Sequence, residues 1–185
     1  MSTLPAPQGD DDEGDALTLN VESQPTPGGY TVTVHFGPDR SRSLTRAQCR
    51  HYAHAVLTSA EHAVYAAAIY QQVTAPPLEM PTEQAREFVG RVRGRLALGE
   101  RDATAPAAFI PGVNGRVEPF IRVEIDGRPV GQLTPADARG HAHDVLYAVH
   151  AAAADTAYRR YLVAFGLDDA MATHLVQELA EHRCD

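Results

Sequence analysis

The strongest constraint on this chain is that it carries its own pattern twice. Shifted by 89 positions, Tyr30–Leu57 lies over Pro119–Leu146 without a gap. Within that overlap, LTRAQCRHYAHAVL (Leu44–Leu57) and LTPADARGHAHDVL (Leu133–Leu146) agree at eight of fourteen positions. Upstream, Val32, Val34 and Phe36 fall on Ile121, Val123 and Ile125. A repeat of this length encodes one supersecondary unit that is built twice.

The second copy is the easier to read. FIRVEI (Phe120–Ile125) alternates with the period of a strand that has one covered face. Asp126-Gly127 is the dipeptide of a two-residue hairpin, because both turn positions need positive φ. RPVGQL returns as the partner strand, and Pro129 places it at an edge. Thr134 is the expected N-cap, Pro135 suits the first helical turn, and Asp137 complements the helix dipole. The helix that follows is expected to run to about Phe165, with Gly166 at its C-terminal cap. A shorter helix follows over Asp169–His182.

The first copy has the same order. TLNVES (Thr18–Ser23) adds a candidate strand before YTVTVHF (Tyr30–Phe36), and the turn GPDR leads to a return strand. Thr45 caps the long helix, and Gln48 is spaced for a capping box. Pro76, Pro77 and Pro81 break the chain before a second helix at Thr82–Leu96. There Phe88, Val89 and Val92 match Leu175, Val176 and Leu179 at an offset of 87. The expected fold class is α+β: a duplicated β-hairpin, long helix and short helix, forming one antiparallel sheet with helices on one face. Residues 1–15 read as a disordered acidic tail, 16–98 as the first half, 99–115 as a connector and 116–185 as the second half. AAFIPGV in the connector offers a further strand. Each half is small for an independent core, so the two are expected to share one pseudo-symmetric domain.

Charge narrows the partners. The chain has 24 acidic residues against 16 basic ones, a formal −8, and every basic residue is arginine. Asp10, Asp11, Asp12, Glu13 and Asp15 sit in the tail; removing those five leaves 19 acids against 16 arginines, a formal −3. Such a body has no long-range pull on phosphate backbones or anionic membranes. No apolar run approaches the roughly 20 residues of a membrane span, and no secretory leader is evident at Met1. Cys49 and Cys184 cannot make a disulfide framework or a paired zinc site, which points to a reducing cytoplasm.

The candidate chemistry is sparse. HYAH (His51–His54) and HAHD (His141–Asp144) invite a metal reading, but His141 and His143 point about 200° apart on a helix and cannot share an ion. His54 and His143 occupy equivalent positions, and a repeated structural role beside Arg50 and Arg139 is the expectation. There is no GxSxG, CxxC or HExxH, and a lysine-bearing phosphate loop is impossible here. No catalytic residue, metal ligand or cofactor is expected.

Three surfaces remain as candidates for recognition. Arg86, Arg91, Arg93 and Arg95 lie on one helix, but at 100° per residue they do not form one stripe. Glu178 stands at the position matching Arg91, so the two helices are candidates to pair. On the sheet, Thr31, Thr33, His35, Arg122 and Glu124 are expected to face outward, opposite the valines and isoleucines. The alanine-rich stretches Ala66–Ala68 and Ala151–Ala154 suit close helix packing, inside the domain by default and between subunits as the second option.

The run EPFIRVEIDGRPVGQLTPADARGHAHDVL, with the earlier VTVHFGPDRSRSLTRAQCRHYAHAVL, resembles uncharacterised proteins of actinobacterial genomes and their mobile elements. The resemblance covers most of Tyr30 to His182. It implies a bacterial cytoplasmic accessory protein and brings no activity, ligand or site residue. The expected function is a non-enzymatic regulatory or protein-interaction module with a protein partner, a homodimer being one form of it. A nucleic-acid-binding regulator is the alternative, a metal-dependent hydrolase the third reading, and a membrane partner is not expected.

Overall fold

The computed structural model describes residues 17–26, 29–96 and 107–182. Its elements run β1 (Leu19–Thr26), β2 (Gly29–Phe36), β3 (Ser41–Leu44), α1 (Arg46–Thr74), α2 (Thr82–Leu96), β4 (Ala108–Val113), β5 (Pro119–Ile125), β6 (Arg128–Leu133), α3 (Pro135–Ala164) and α4 (Asp169–Glu181). The class is α+β, with helices packed against antiparallel sheets. The tail at 1–15 and residues 99–106 of the connector lie outside the described residues, as does Cys184.

Local chemistry explains the element boundaries. Val32, Val34 and Phe36 of β2 and Ile121, Val123 and Ile125 of β5 are buried, as the period of two requires. The hairpin after β5 has Asp126 at φ 52° and Gly127 at φ 73°, the doubly positive turn that this dipeptide favours. At the start of α1, the Thr45 amide donates to Gln48 Oε1 at 2.9 Å and the Gln48 amide donates to Thr45 Oγ1 at 3.3 Å. That reciprocal pair is a capping box. Asp168 caps α4 by accepting from the Met171 amide at 2.9 Å.

The strands form two sheets rather than the single one expected. Their orders are β1-β2-β3 and β4-β5-β6, antiparallel throughout. The reason lies in the flanking strands. β1 pairs with β2 over its whole length and β4 pairs with β5, so each hairpin has an additional strand on the edge that a joined sheet would use. Pro129 sits in β6, an edge strand, where its missing N–H costs no ladder bond.

The chain divides into two compact units that interleave along the sequence. One comprises Thr18–Leu57 and Asp137–Asp185, which brings together the β1–β3 sheet, the first three turns of α1, α3 and α4. The other includes Thr58–Ala136, with the remainder of α1, α2 and the β4–β6 sheet. Neither unit follows the sequence halves at 16–98 and 116–185.

In the β1–β3 unit, α3 lies close against β2: a Cβ added at Gly29, where φ is 144°, would come within 3.0 Å of Thr156 Oγ1. The core there includes Val34, Cys49, Val56, Ala142, Val145 and Val176, all almost wholly buried. In the β4–β6 unit, Ser59 of α1 donates to the Phe109 carbonyl of β4 at 2.8 Å. Ala60, Ala63, Ala66 and Ala67 continue the buried arc of α1 beyond Ser59. Ala66 and Ala67 thus take the internal role expected of Ala66–Ala68, whereas Ala68 is exposed.

The capping box offers a direct check on this account. Thr45→Ala removes the hydroxyl acceptor and is expected to destabilise the protein by about 1 kcal/mol in urea unfolding, while Thr45→Ser stays near wild type. Equal stability of Thr45→Ala and wild type would show that the cap does not hold the start of α1.

Candidate functional site

The histidine that the fold buries is not one of the expected pair. His54 and His143 are exposed, as is Arg50, while Arg139 is half-buried. His141 is 5 % exposed, and its Nε2 lies 2.9 Å from the Tyr52 hydroxyl. The two rings meet edge to face with centroids 5.6 Å apart, and Phe36 stacks on Tyr52 in the same way at 6.3 Å. Tyr52 and His141 are 89 residues apart, so two positions matched by the repeat touch each other.

Burial governs the titration of this cluster. It pushes His141 down to about 4. The Nδ1 atom is buried without a hydrogen-bond partner, so an imidazolium would leave one N–H donor unsatisfied. Burial pushes the Tyr52 hydroxyl up, with a smaller contribution from Cys49. The Cys49 thiol is raised to about 11 by burial, against a lowering backbone hydrogen bond, which makes it an inert core group. Among the described residues no group of three His, Cys, Asp or Glu is placed to hold a metal.

The sheet face reads as a self-satisfied polar ladder. His35 Nε2 pairs with Glu22 Oε1 at 2.8 Å, and Thr31 Oγ1 donates to the Leu44 carbonyl at 3.0 Å. Thr33 was expected outside, yet it is buried: it lies on the central strand and contacts Gln24 Oε1 at 3.2 Å and Ser43 Oγ at 3.1 Å. Arg122 and Glu124 pair at 3.2 Å on β5. The contacts of His35, Thr31 and Thr33 run across strands of the β1–β3 sheet, that of Arg122 and Glu124 along β5, and together they engage these polar groups within the fold.

The arginines of α2 are divided in the same way. Arg86 and Arg91 are exposed, with Arg91 3.8 Å from Glu87. Arg93 is half-buried and donates to the Pro111 carbonyl; burial and then the Arg122 charge lower its pKa. Arg95 lies in the helix, but its side chain falls outside the described residues. Glu178, the expected counterpart of Arg91, instead lies 3.4 Å from His174 on its own helix.

The surface that stands out is the outward face of α3. Tyr147, Tyr158, Tyr161 and Phe165 are 58–69 % exposed, a third of all the aromatic residues in the chain. With Ala151 and Ala154 they fall within an arc of about 80° at 100° per residue. Tyr161 and Phe165 contact each other with centroids 4.5 Å apart. Beside this arc, Tyr158, Leu162, Leu175, Glu178, Leu179 and His182 line a cavity of about 360 Å³ between α3 and α4. Leu179 is half exposed there, and Met171 on α4 is also exposed. Arg159 ties the two helices, donating to Thr173 Oγ1 at 3.0 Å and pairing with Asp169.

The stripe mixes alanines of the Ala151–Ala154 stretch with aromatic residues on either side of it. Ala152 is buried as internal packing requires, whereas Ala154 is exposed between the tyrosines. The signal that would have found the surface is the spacing of Tyr147, Tyr158, Tyr161 and Phe165. Comparison with protein families, with curated proteins and with solved structures finds no match to this chain. Among the described residues no helix is long and apolar enough to cross a membrane.

The buried histidine generates a pH prediction. Its pKa is about 4 when folded, against an ordinary 6.5, so the unfolded chain takes up the proton first as pH falls. The resulting loss of stability starts near pH 6.5 and is complete near pH 4, amounting to roughly 3 kcal/mol at most. His141→Phe keeps a ring and removes the titration. The stability advantage of wild type over this variant is therefore expected to shrink as pH falls through that window. A difference independent of pH would contradict the assignment.

Proposed function

We propose that this protein is a non-enzymatic, cytoplasmic protein-interaction module whose working surface is the outward face of α3 with the adjoining edge of α4. The observation that carries the reading is the alignment of four exposed aromatic side chains on one helical arc. Scattered exposed apolar residues are ordinary on a protein surface, but a contiguous aromatic patch costs solubility and marks a contact site. Tyrosine suits that role: its ring buries apolar area while its hydroxyl stays at a wet rim. A helix face of this kind presents a partner with anchors rather than with a reactive group, and it docks another helix.

The polar side chains support the same reading. Arg93 and Arg122 on the β4–β6 unit and the polar ladder of the β1–β3 sheet are engaged within the fold, which takes these groups away from the alternative of nucleic-acid binding.

Hydroxyl-radical footprinting tests the proposal. The purified protein, dilute in buffer, is compared with the same protein in extract of the cells that make it. Oxidation of Tyr147, Tyr158, Tyr161 and Phe165 is expected to fall in the extract, with exposed Tyr65 on α1 as the internal reference. An unchanged oxidation pattern across these residues would contradict it.

A further inference from the structure

We infer that the partner of the α3 face is a second copy of this chain, docked antiparallel about a two-fold axis at the level of Thr156. The inference rests on the reading of that face as a contact surface and goes on to name its occupant.

Spacing comes first. Tyr147, Ala151, Ala154, Tyr158, Tyr161 and Phe165 follow one another in steps of four, three, four, three and four. That is the a/d spacing of a helix seam built to meet another helix. The seam is about 27 Å long, from the rise of 1.5 Å per residue. It is not consumed by the unit's own core, since the buried Ala138, Ala142, Val145, Val149 and Ala152 of α3 lie on the opposite arc.

Side-chain size then chooses the occupant. A two-fold contact must be self-complementary, with each residue meeting a position of the same surface. Centred at Thr156, the antiparallel pairing sets Ala154 against Tyr158 of the second copy and Ala151 against its Tyr161. Each large ring meets a small side chain, which is how facing layers interdigitate at interior density. Tyr147 and Phe165 close the seam at each end as an aromatic pair. A shift of one heptad in one direction puts alanine against alanine and tyrosine against tyrosine. The opposite shift sets Tyr158 against Tyr161. Parallel pairing stacks Tyr158 on its own counterpart and leaves a thin alanine layer beside it. Of these arrangements, only the register centred at Thr156 sets a large ring against a small side chain at every layer in the middle of the seam. It also sets the two helix dipoles head to tail.

Area sets the strength. Eight aromatic side chains each covering on the order of 100 Å², with the alanines between them, bury roughly 1,000 Å² in total, the lower end of specific interfaces. The dimer is therefore expected to exchange, with a dissociation constant in about the micromolar range.

Sedimentation equilibrium of the full chain, over concentrations bracketing that range, measures the association. Wild type is expected to move between monomer and dimer. Ala154→Tyr places a second ring against Tyr158 of the other copy and is expected to weaken association about tenfold or more. The double variant Ala154→Tyr with Tyr158→Ala restores a large residue opposite a small one, and is expected to recover most of the loss. Both positions are exposed, so unfolding curves of the variants at monomeric concentration serve as the folding control. A wild type that stays monomeric throughout would overturn the inference, while protection in the footprinting experiment would still stand for another partner. A dimer indifferent to Ala154→Tyr, or one that the double variant fails to restore, would overturn the register.

Discussion

The β1–β3 unit depends on the close approach of α1 and α3 at Tyr52 and His141. A hydrogen bond of 2.9 Å between two buried side chains is directional, and it is set among side chains small enough to let the helices come together: Ala53 beside Tyr52, and Ala138 and Ala142 around His141. Cys49 and Phe36 complete the surround. A partly satisfied buried polar pair is costly to misplace, because any rotation of α3 would break the bond to Tyr52 and leave the buried imidazole without it. The pair therefore fixes the rotation of α3 about its own axis as much as it adds to stability.

That rotation decides what the helix shows to solvent. His141 and Tyr147 are six residues apart, about 120° around the helix. Once His141, Val145 and Val149 face inward, Tyr147, Tyr158, Tyr161 and Phe165 have no place inside. The unit covers one apolar arc of α3 and leaves the other, which is why a helix with hydrophobic residues on both sides has an exposed seam. The same logic assigns Arg159 and Asp169 to holding α4 beside α3, so that Leu175 and Leu179 extend the apolar surface.

Much of this fold was legible in the residues that act locally. Thr45 with Gln48, Asp126 with Gly127, and the alternation of Val32, Val34 and Phe36 each specify geometry within a few positions, and the structure has that geometry. Non-local choices were not legible. Nothing near Val32 says whether its strand is flanked by β1 or by a strand of the other half, and the pairing of β1 along β2 made two sheets where one was expected. Helix phase was the other blind spot. HAHD offers two histidines on opposite faces, and only the packing against Tyr52 selects His141 over His143. In α3, alanine and valine on one arc and alanine and tyrosine on the other leave no clear polar face, so periodicity alone could not say which arc would be exposed.

The central claim is that α3 meets α3 of a second copy head to tail, and a pair of distances tests it most directly. Cys49 is fully buried and will not take up a spin label, so Cys184→Ser leaves a single introduced thiol to carry a nitroxide. Ala157 is exposed beside the expected axis, and Gly140 is exposed with open space at its Cβ position. Double electron–electron resonance on the dimer should give a short separation, under about 25 Å, for labels at Ala157→Cys and a long one, near 50 Å, at Gly140→Cys, because Gly140 lies about 24 Å along the helix from the axis. Short distances at both positions would mean a parallel pair, and the absence of dipolar coupling at Ala157→Cys would mean that α3 is not the contact at all.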